Sequence, residues 1–162
     1  MSDIYLHVSV LRSIEPIYEE VFRAEIMVSE AEKYFKKIDS NFPSIILIKG
    51  PYTYHEGDVN YNPGFNIISI YVDDGLIRGM TDEQLKAFIF HAIGHFARGH
   101  LPKRHDMFDN CDFECEIDRE IEADLFAVED GHDVSAVALA SLVELLAGGG
   151  EALKRIDAIN NR

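Results

Sequence analysis

The feature that most constrains the fold of this chain is a pair of histidines within an apolar segment. The segment reads His91-Ala92-Ile93-Gly94-His95, and an acidic cluster, Glu120-Ile121-Glu122-Ala123-Asp124, begins 25 positions after His95. Residues four apart in a helix lie one turn apart on the same side, so both imidazoles can reach one ion. A glutamate from a second helix can supply a third ligand, which leaves one position of a tetrahedral zinc site open. The pattern therefore predicts two helices packed closely enough to bring Glu120 to both histidines.

The neighbours of this pair indicate that the helix carrying it is buried. Phe88, Ile89, Phe90 and Ile93 are apolar, so the histidines would need polar partners inside the protein. Gly94 has no side chain, which allows a second element to approach closely at that point. We therefore interpret the pattern as a metal site; a structural pair of core histidines is the alternative.

Two further residues are candidates for holding the ligands in place. Asp124 lies one turn after Glu120 and could accept the free N–H of a ligand histidine, which would fix the ring. His100, five positions after His95, is the second candidate. Glu122 is predicted to point away from this face of the helix and to be a solvated charge.

Length and charge bound the class of protein. At 162 residues the chain is expected to form a single domain. The formal net charge of -14 repels phosphate backbones, so nucleic-acid binding is not expected. No apolar run approaches the ~20 residues that span a bilayer, and the N-terminus lacks the basic and apolar regions of a signal peptide. We therefore expect no membrane insertion and a cytoplasmic location.

Hydrophobic periodicity predicts an α+β fold. Alternating apolar residues predict strands near residues 4–10, 44–49 and 65–72. Helical spacing predicts one long helix, or two with a break near Val28-Ser29, between residues 14 and 38. The segment 52–63 is predicted to be a polar connection.

The second half of the chain is predicted to be helical. Asp73-Asp74-Gly75 reads as a turn, after which Thr81 and Gln84 form the capping-box pattern that opens the histidine helix. Further helices are expected at about 114–128, 133–146 and 151–159, with three consecutive glycines breaking the chain before the last. Residues 1–42 would then supply a strand and a helix, 43–101 the sheet and the histidine helix, and 102–162 the helix with Glu120 and the C-terminal helices.

The two cysteines are expected to be free thiols. Cys111 and Cys115 lie four apart in a predicted helical segment, where a disulfide is geometrically awkward. Free thiols are typical of a reducing compartment. A second metal site that includes His105 is the alternative.

The motifs in combination resemble those of the gluzincin metallopeptidases. The resemblance is to the family of the CAAX prenyl protease and the heat-shock protease HtpX, with its small soluble relatives, the minigluzincins. That family has His-Glu-x-Gly-His-x-x-x-x-His followed later by Glu-x-Glu-Ala-Asp, which correspond here to residues 91–100 and 120–124. Gly75-Leu76-Ile77 and the segment 60–64 also resemble family segments. The resemblance implies a small zincin-like domain, in which a short twisted mixed sheet packs on the helix carrying His-x-x-x-His.

The same resemblance implies a zinc-dependent metalloendopeptidase that acts on a peptide or protein substrate. In the family, zinc activates a water molecule and a glutamate beside the first histidine acts as general base. The Zn²⁺ ligands would be His91, His95 and Glu120. A further donor steadies the oxyanion in these enzymes, and the candidates here are His132, Tyr52, Tyr54, His55 and Tyr61.

Ala92 stands where the family has its catalytic glutamate. A methyl group cannot accept a proton, so the chain is expected to bind zinc but to hydrolyse peptides poorly. Either the glutamate was replaced deliberately to silence a protease, which the otherwise intact motif favours, or the chain is a natural pseudoenzyme that acts as a binding or regulatory module. The short interval between His95 and Glu120 also resembles the ImmA-type peptidases that cleave phage repressors, although these have asparagine at the place of Asp124. A purely structural metal domain is a further alternative.

Overall fold

A mixed sheet of three strands and six helices make up the described parts of the chain, which are residues 22–49, 59–101 and 111–162 of a computed structural model. The fold is therefore α+β, as predicted. In chain order the elements are α1 (22–38), β1 (Ser44–Lys49), β2 (Val59–Asn62), β3 (Ile67–Val72), α2 (Asp74–Gly79), α3 (Asp82–Ala97), α4 (Phe113–Ala127), α5 (Ala136–Leu146) and α6 (Gly149–Asn160).

The sheet has the strand order β1-β3-β2, with β1 parallel and β2 antiparallel to the central strand β3. Ile68, Ile70 and Val72 of β3 are buried while the residues between them are partly exposed, as the alternation in sequence predicted. Strand β2 was not predicted, since its residues fall in the segment read as a polar connection. It forms because its backbone pairs with β3 from Val59 opposite Ile70 onward.

The predicted start of α3 is confirmed, and one predicted turn is wrong. The Thr81 side chain accepts from the backbone N–H of Gln84, and the Gln84 side chain accepts from the Thr81 N–H, so the capping box opens α3. The predicted turn at residues 73–75 is instead the start of α2, because the Asp73 side chain caps the N–H groups of Gly75 and Leu76.

Helix α1 continues through Val28 and Ser29 without the break that the sequence left open. Its buried face consists of Ala24, Val28, Ala31 and Phe35, which recur at helical spacing. The predicted strand near residues 4–10 lies outside the described residues. At the other end of the chain, Gly149 and Gly150 lie within α6 rather than breaking the chain before it.

Helix α3 is the centre of the fold. It contacts β2 and β3 of the sheet as well as α4 and α5, and eight of its 16 residues are buried. Buried side chains of all six helices and of β1 and β3 join one hydrophobic cluster. Among the described helices, none is both long and apolar enough to cross a membrane.

Candidate metal centre

Three side chains from two helices converge beside α3. His91 and His95 lie one turn apart on α3, with their Nε2 atoms 3.1 Å apart. Glu120 of α4 places Oε2 3.3 Å from Nε2 of His91 and Oε1 3.2 Å from Nε2 of His95. One potential ligand atom from each residue lies within 4.8 Å of the others. The structure thus brings together the three residues that the sequence predicted as ligands, and this group could hold a metal ion.

The spacing of these atoms fits a small divalent cation. A tetrahedral Zn²⁺ with bonds of about 2.05 Å places neighbouring ligand atoms about 3.3 Å apart. The two Nε2 atoms lie 3.1 Å apart, and each lies 3.2 or 3.3 Å from a different oxygen of Glu120, so these separations are close to that value. Two imidazoles with one carboxylate are also a donor set that zinc accepts, with a fourth position left for a non-protein ligand.

Gly94 allows the two helices to come this close. A Cβ atom built on Gly94 would lie 2.8 Å from the carbonyl oxygen of Ala123 and 3.0 Å from its Cα. The backbone of α4 therefore occupies the space that a side chain on α3 would need. Because Glu120 and Asp124 lie close to Ala123 on α4, this contact sets their distance from the histidines. The prediction of a close approach at Gly94 is confirmed.

Asp124 holds the ring of His91. Its Oδ1 lies 2.8 Å from Nδ1 of His91, and its side chain is fully buried. Because a carboxylate can only accept, the neutral ring keeps its proton on Nδ1 and leaves the Nε2 lone pair for a cation.

A second chain of hydrogen bonds orients His95. Nδ1 of His95 lies 3.1 Å from Nδ1 of His100, and Nε2 of His100 lies 2.8 Å from Oε2 of Glu122. If each bond carries one proton toward the carboxylate, His100 donates to Glu122 and His95 donates to His100. The Nε2 lone pair of His95 is then also free for a cation. Glu122 was predicted to be a solvated charge, and its side chain is 58% exposed; its contact with His100, which the sequence did not predict, makes it the end of this chain.

In the metal-free form, electrostatic interactions favour charged forms of His91 and Glu120. Burial lowers the pKa of His91, but Asp124 and then Glu120 raise it to about 9, whereas burial keeps the pKa of His95 below its usual value. Burial alone would raise the pKa of Glu120, yet its contacts with the two histidines hold it far below the usual range. A metal ion must therefore displace a proton from His91, so its affinity should fall at low pH.

Arg155 of α6 is a residue of this centre that the sequence reading missed. Its Nε and Nη2 donate to the two carboxylate oxygens of Asp124 at 2.7 and 2.9 Å, and its Nη1 lies 3.0 Å from Oε2 of Glu120. A signal was present in the sequence, since Ala152, Arg155 and Ile159 recur at the spacing of one helix face. All three are buried, and a charged residue on an apolar face requires a partner.

A cleft of about 350 Å³ opens beside two of the three candidate ligands. Its walls include His95 and Glu120 from the centre, with Phe113 and Glu116 from the first turns of α4. Phe113 is 66% exposed. The centre can therefore be reached by a ligand larger than water.

Ala92 is buried beside this centre, with 1% of its surface exposed.

Of the candidates for oxyanion stabilisation, His132 contacts the hydroxyl of Tyr34 at 2.9 Å and packs among phenylalanine rings, the nearest being Phe126 at 4.8 Å. Tyr61 donates its hydroxyl to Asn66 within the β2–β3 connection. Neither contact involves a predicted metal ligand, and the other three candidates, Tyr52, Tyr54 and His55, lie outside the described residues.

The prediction of free thiols is wrong, because Cys111 and Cys115 form a disulfide with a Cα–Cα distance of 5.3 Å. The two residues were assumed to share a helix. Asp112 caps α4, whose first residue is Phe113, so Cys111 precedes the helix and can turn back toward Cys115. The reducing compartment inferred from free thiols loses that support.

A scan of protein-family models found no match, and searches of curated proteins and of solved structures found none either. The resemblance to gluzincins remains a prediction from the motif residues.

Proposed function

We propose that this chain is a zinc-binding domain of the metallopeptidase type, with His91, His95 and Glu120 as its metal ligands. The observation that carries the proposal is the convergence of these three side chains at separations of 3.1–3.3 Å. Their resemblance to the gluzincin motifs supports a zincin-like arrangement. The adjoining cleft of about 350 Å³ supports a peptide or protein as the ligand.

A zinc ion in this position would supply Lewis acidity, which acidifies a water molecule and polarises a peptide carbonyl. The side chains around it would orient the metal ligands and the substrate. Asp124 and His100 hold the two imidazoles in the orientation for binding, and the cleft would align an extended substrate.

The buried methyl group of Ala92 limits what the chain can do with a bound peptide. General-base catalysis contributes about 10²–10⁴-fold to such reactions, and Ala92 offers no atom that accepts a proton. We therefore propose that the chain retains zinc and binds peptide but cuts it slowly or not at all. The same residue favours a second function, that of a metallopeptidase-like module that binds or regulates a protein partner without hydrolysis.

The experiment is to place a carboxylate at this position. In the zinc-loaded protein, Ala92→Glu should raise the rate of cleavage of casein and of a peptide library by about 100-fold or more. A chelator should abolish the gain. Ala92→Gln is the matched control, because it adds nearly the same volume to a buried position without a base.

Circular dichroism and zinc content show whether both variants still fold and bind the metal. An Ala92→Glu protein that is folded, zinc-loaded and inert across these substrates would leave the binding module as the better account. Cleavage by the Gln variant at the rate of the Glu variant would show that the carboxylate is not the base.

A further inference from the structure

We propose that Arg155 is a positioning residue of the metal centre and that helix α6 is thereby part of that centre. Its guanidinium holds Glu120 and Asp124 in the places from which they bind the metal and orient His91. This inference rests on the proposed zinc-binding function and adds a third helix, α6, to the two that carry the ligands.

The contacts of Arg155 join α6 to two acidic residues of α4. Nε and Nη2 form a fork on Asp124, with distances of 2.7 and 2.9 Å to Oδ2 and Oδ1. Nη1 lies 3.0 Å from Oε2 of Glu120 and 3.1 Å from Oε1 of Glu151. The arginine is 7% exposed and Asp124 is 0% exposed, so little water competes for these bonds.

The fork on Asp124 acts on a metal ligand through one shared oxygen. Oδ1 of Asp124 accepts from Nη2 of Arg155 and also faces Nδ1 of His91 at 2.8 Å. The position of the His91 ring therefore depends on where Arg155 holds this carboxylate. A planar guanidinium can do this with two parallel bonds, whereas an ammonium group cannot.

The contact with Glu120 distinguishes its two oxygens. Oε2 faces both Nη1 of Arg155 at 3.0 Å and Nε2 of His91 at 3.3 Å, while Oε1 faces only Nε2 of His95 among these groups, at 3.2 Å. Part of the negative charge of Glu120 is thus compensated by a fixed cation on one side.

Charge balance gives Arg155 a further role. The carboxylates of Asp124 and Glu120 lie close together where α3, α4 and α6 meet. Asp124 is buried and Glu120 is half-buried there, and buried carboxylates need compensating charge. Arg155 contacts both carboxylates, at 3.0 Å from Glu120 and 2.7 Å from Asp124, and so supplies that charge.

The alternative is that Arg155 merely fastens α6 to α4. The experiment separates the two by measuring zinc affinity on folded protein at a temperature well below unfolding. Zinc dissociation constants are measured by chelator competition for the parent chain, Arg155→Lys and Arg155→Gln. Lys154→Gln is the matched control, because Lys154 is the preceding residue of α6 and pairs with Glu114 at the surface.

We expect zinc binding to weaken about 10- to 100-fold in the Arg155 variants, in the range seen when a partner of a metal ligand is removed. The Lys154 control should bind as the parent does. Cobalt(II) serves as a second probe, since its visible absorption reports ligand geometry. We expect that spectrum to change in Arg155→Lys and to stay constant in Lys154→Gln.

A double variant guards against loss of folding. Arg155→Gln leaves Asp124 buried without its cation, so Asp124→Asn with Arg155→Gln removes both charges together. Folded Arg155 variants with the zinc affinity and cobalt spectrum of the parent would overturn this inference alone. Failure of all of them to fold, double variant included, would show a structural role and overturn it too. A parent chain that binds no zinc would overturn the proposed function along with it.

Discussion

At the scale of the residue, a missing side chain at Gly94 decides how closely the two ligand-bearing helices pack. We expect Gly94→Ala to lower the free energy of unfolding by about 1–3 kcal/mol, because overpacking a buried contact costs that much. The new methyl group would meet backbone of α4 at 2.8 and 3.0 Å, and backbone cannot rotate away as a side chain can. Urea denaturation measures this loss. Zinc affinity should fall as well, since separating the helices moves Glu120 from the histidines.

Gly79→Ala is the control for this substitution. Gly79 is the last residue of α2, and a Cβ atom there would meet nothing within 4 Å. Its replacement should change stability by less than about 1 kcal/mol. Equal stability and zinc affinity in Gly94→Ala and the parent would show that the close approach of α3 and α4 is not what places Glu120.

At the scale of the element, Glu32 joins α1 to β1. Its Oε2 accepts from the backbone N–H of Ile45 at 2.8 Å, and its Oε1 accepts from Lys36 at 2.5 Å. Burial alone would raise the pKa of Glu32, but these hydrogen bonds and the charge of Lys36 hold it below the usual 4.5. The ionised carboxylate therefore stabilises the folded chain above about pH 4.5, and this contribution is lost as pH falls through the lower folded-state pKa.

We expect the parent to be more stable than Glu32→Gln at pH 7 and the difference to shrink below about pH 4.5. Urea denaturation from pH 3 to pH 7 measures it. Glu25→Gln, an exposed site on the same helix, is the control and should track the parent. A difference that stays constant over this range would mean that the charge of Glu32 does not stabilise the contact between α1 and β1.

At the scale of the whole molecule, a metal bound between α3 and α4 should stabilise the entire fold. Free zinc at 100 times its dissociation constant would add about 2.7 kcal/mol to the free energy of unfolding, because only the folded chain assembles the site. Thermal unfolding with zinc, and then with a chelator in excess, measures the shift and its reversal. His95→Asn should lose most of the shift. The same shift in parent and variant would place the metal elsewhere.

Helices and strands with long, strong hydrophobic periodicity were predicted from the sequence. Elements that form through a few local hydrogen bonds were missed. Helix α3 was predicted together with its capping box. Strand β2 was missed because four residues with two asparagines carry little strand signal, and its partner β3 supplies the bonds that form it. Helix α2 was missed because the aspartate that opens it, Asp73, is equally typical of a turn.

The sequence by itself determined which residues could form the candidate site. The four-residue spacing of His91 and His95 places them on one face of any helix, and the same holds for Glu120 and Asp124. These are local consequences of helix geometry, so they could be read without a fold.

Only the tertiary structure decided how these faces meet and what surrounds them. It set the distance across Gly94, the contact of Glu122 with His100, and the disulfide of Cys111. It also brought Arg155 to residues 31 and 35 positions earlier in the chain, Asp124 and Glu120. No local pattern encodes such pairs, because they depend on how several helices pack at once.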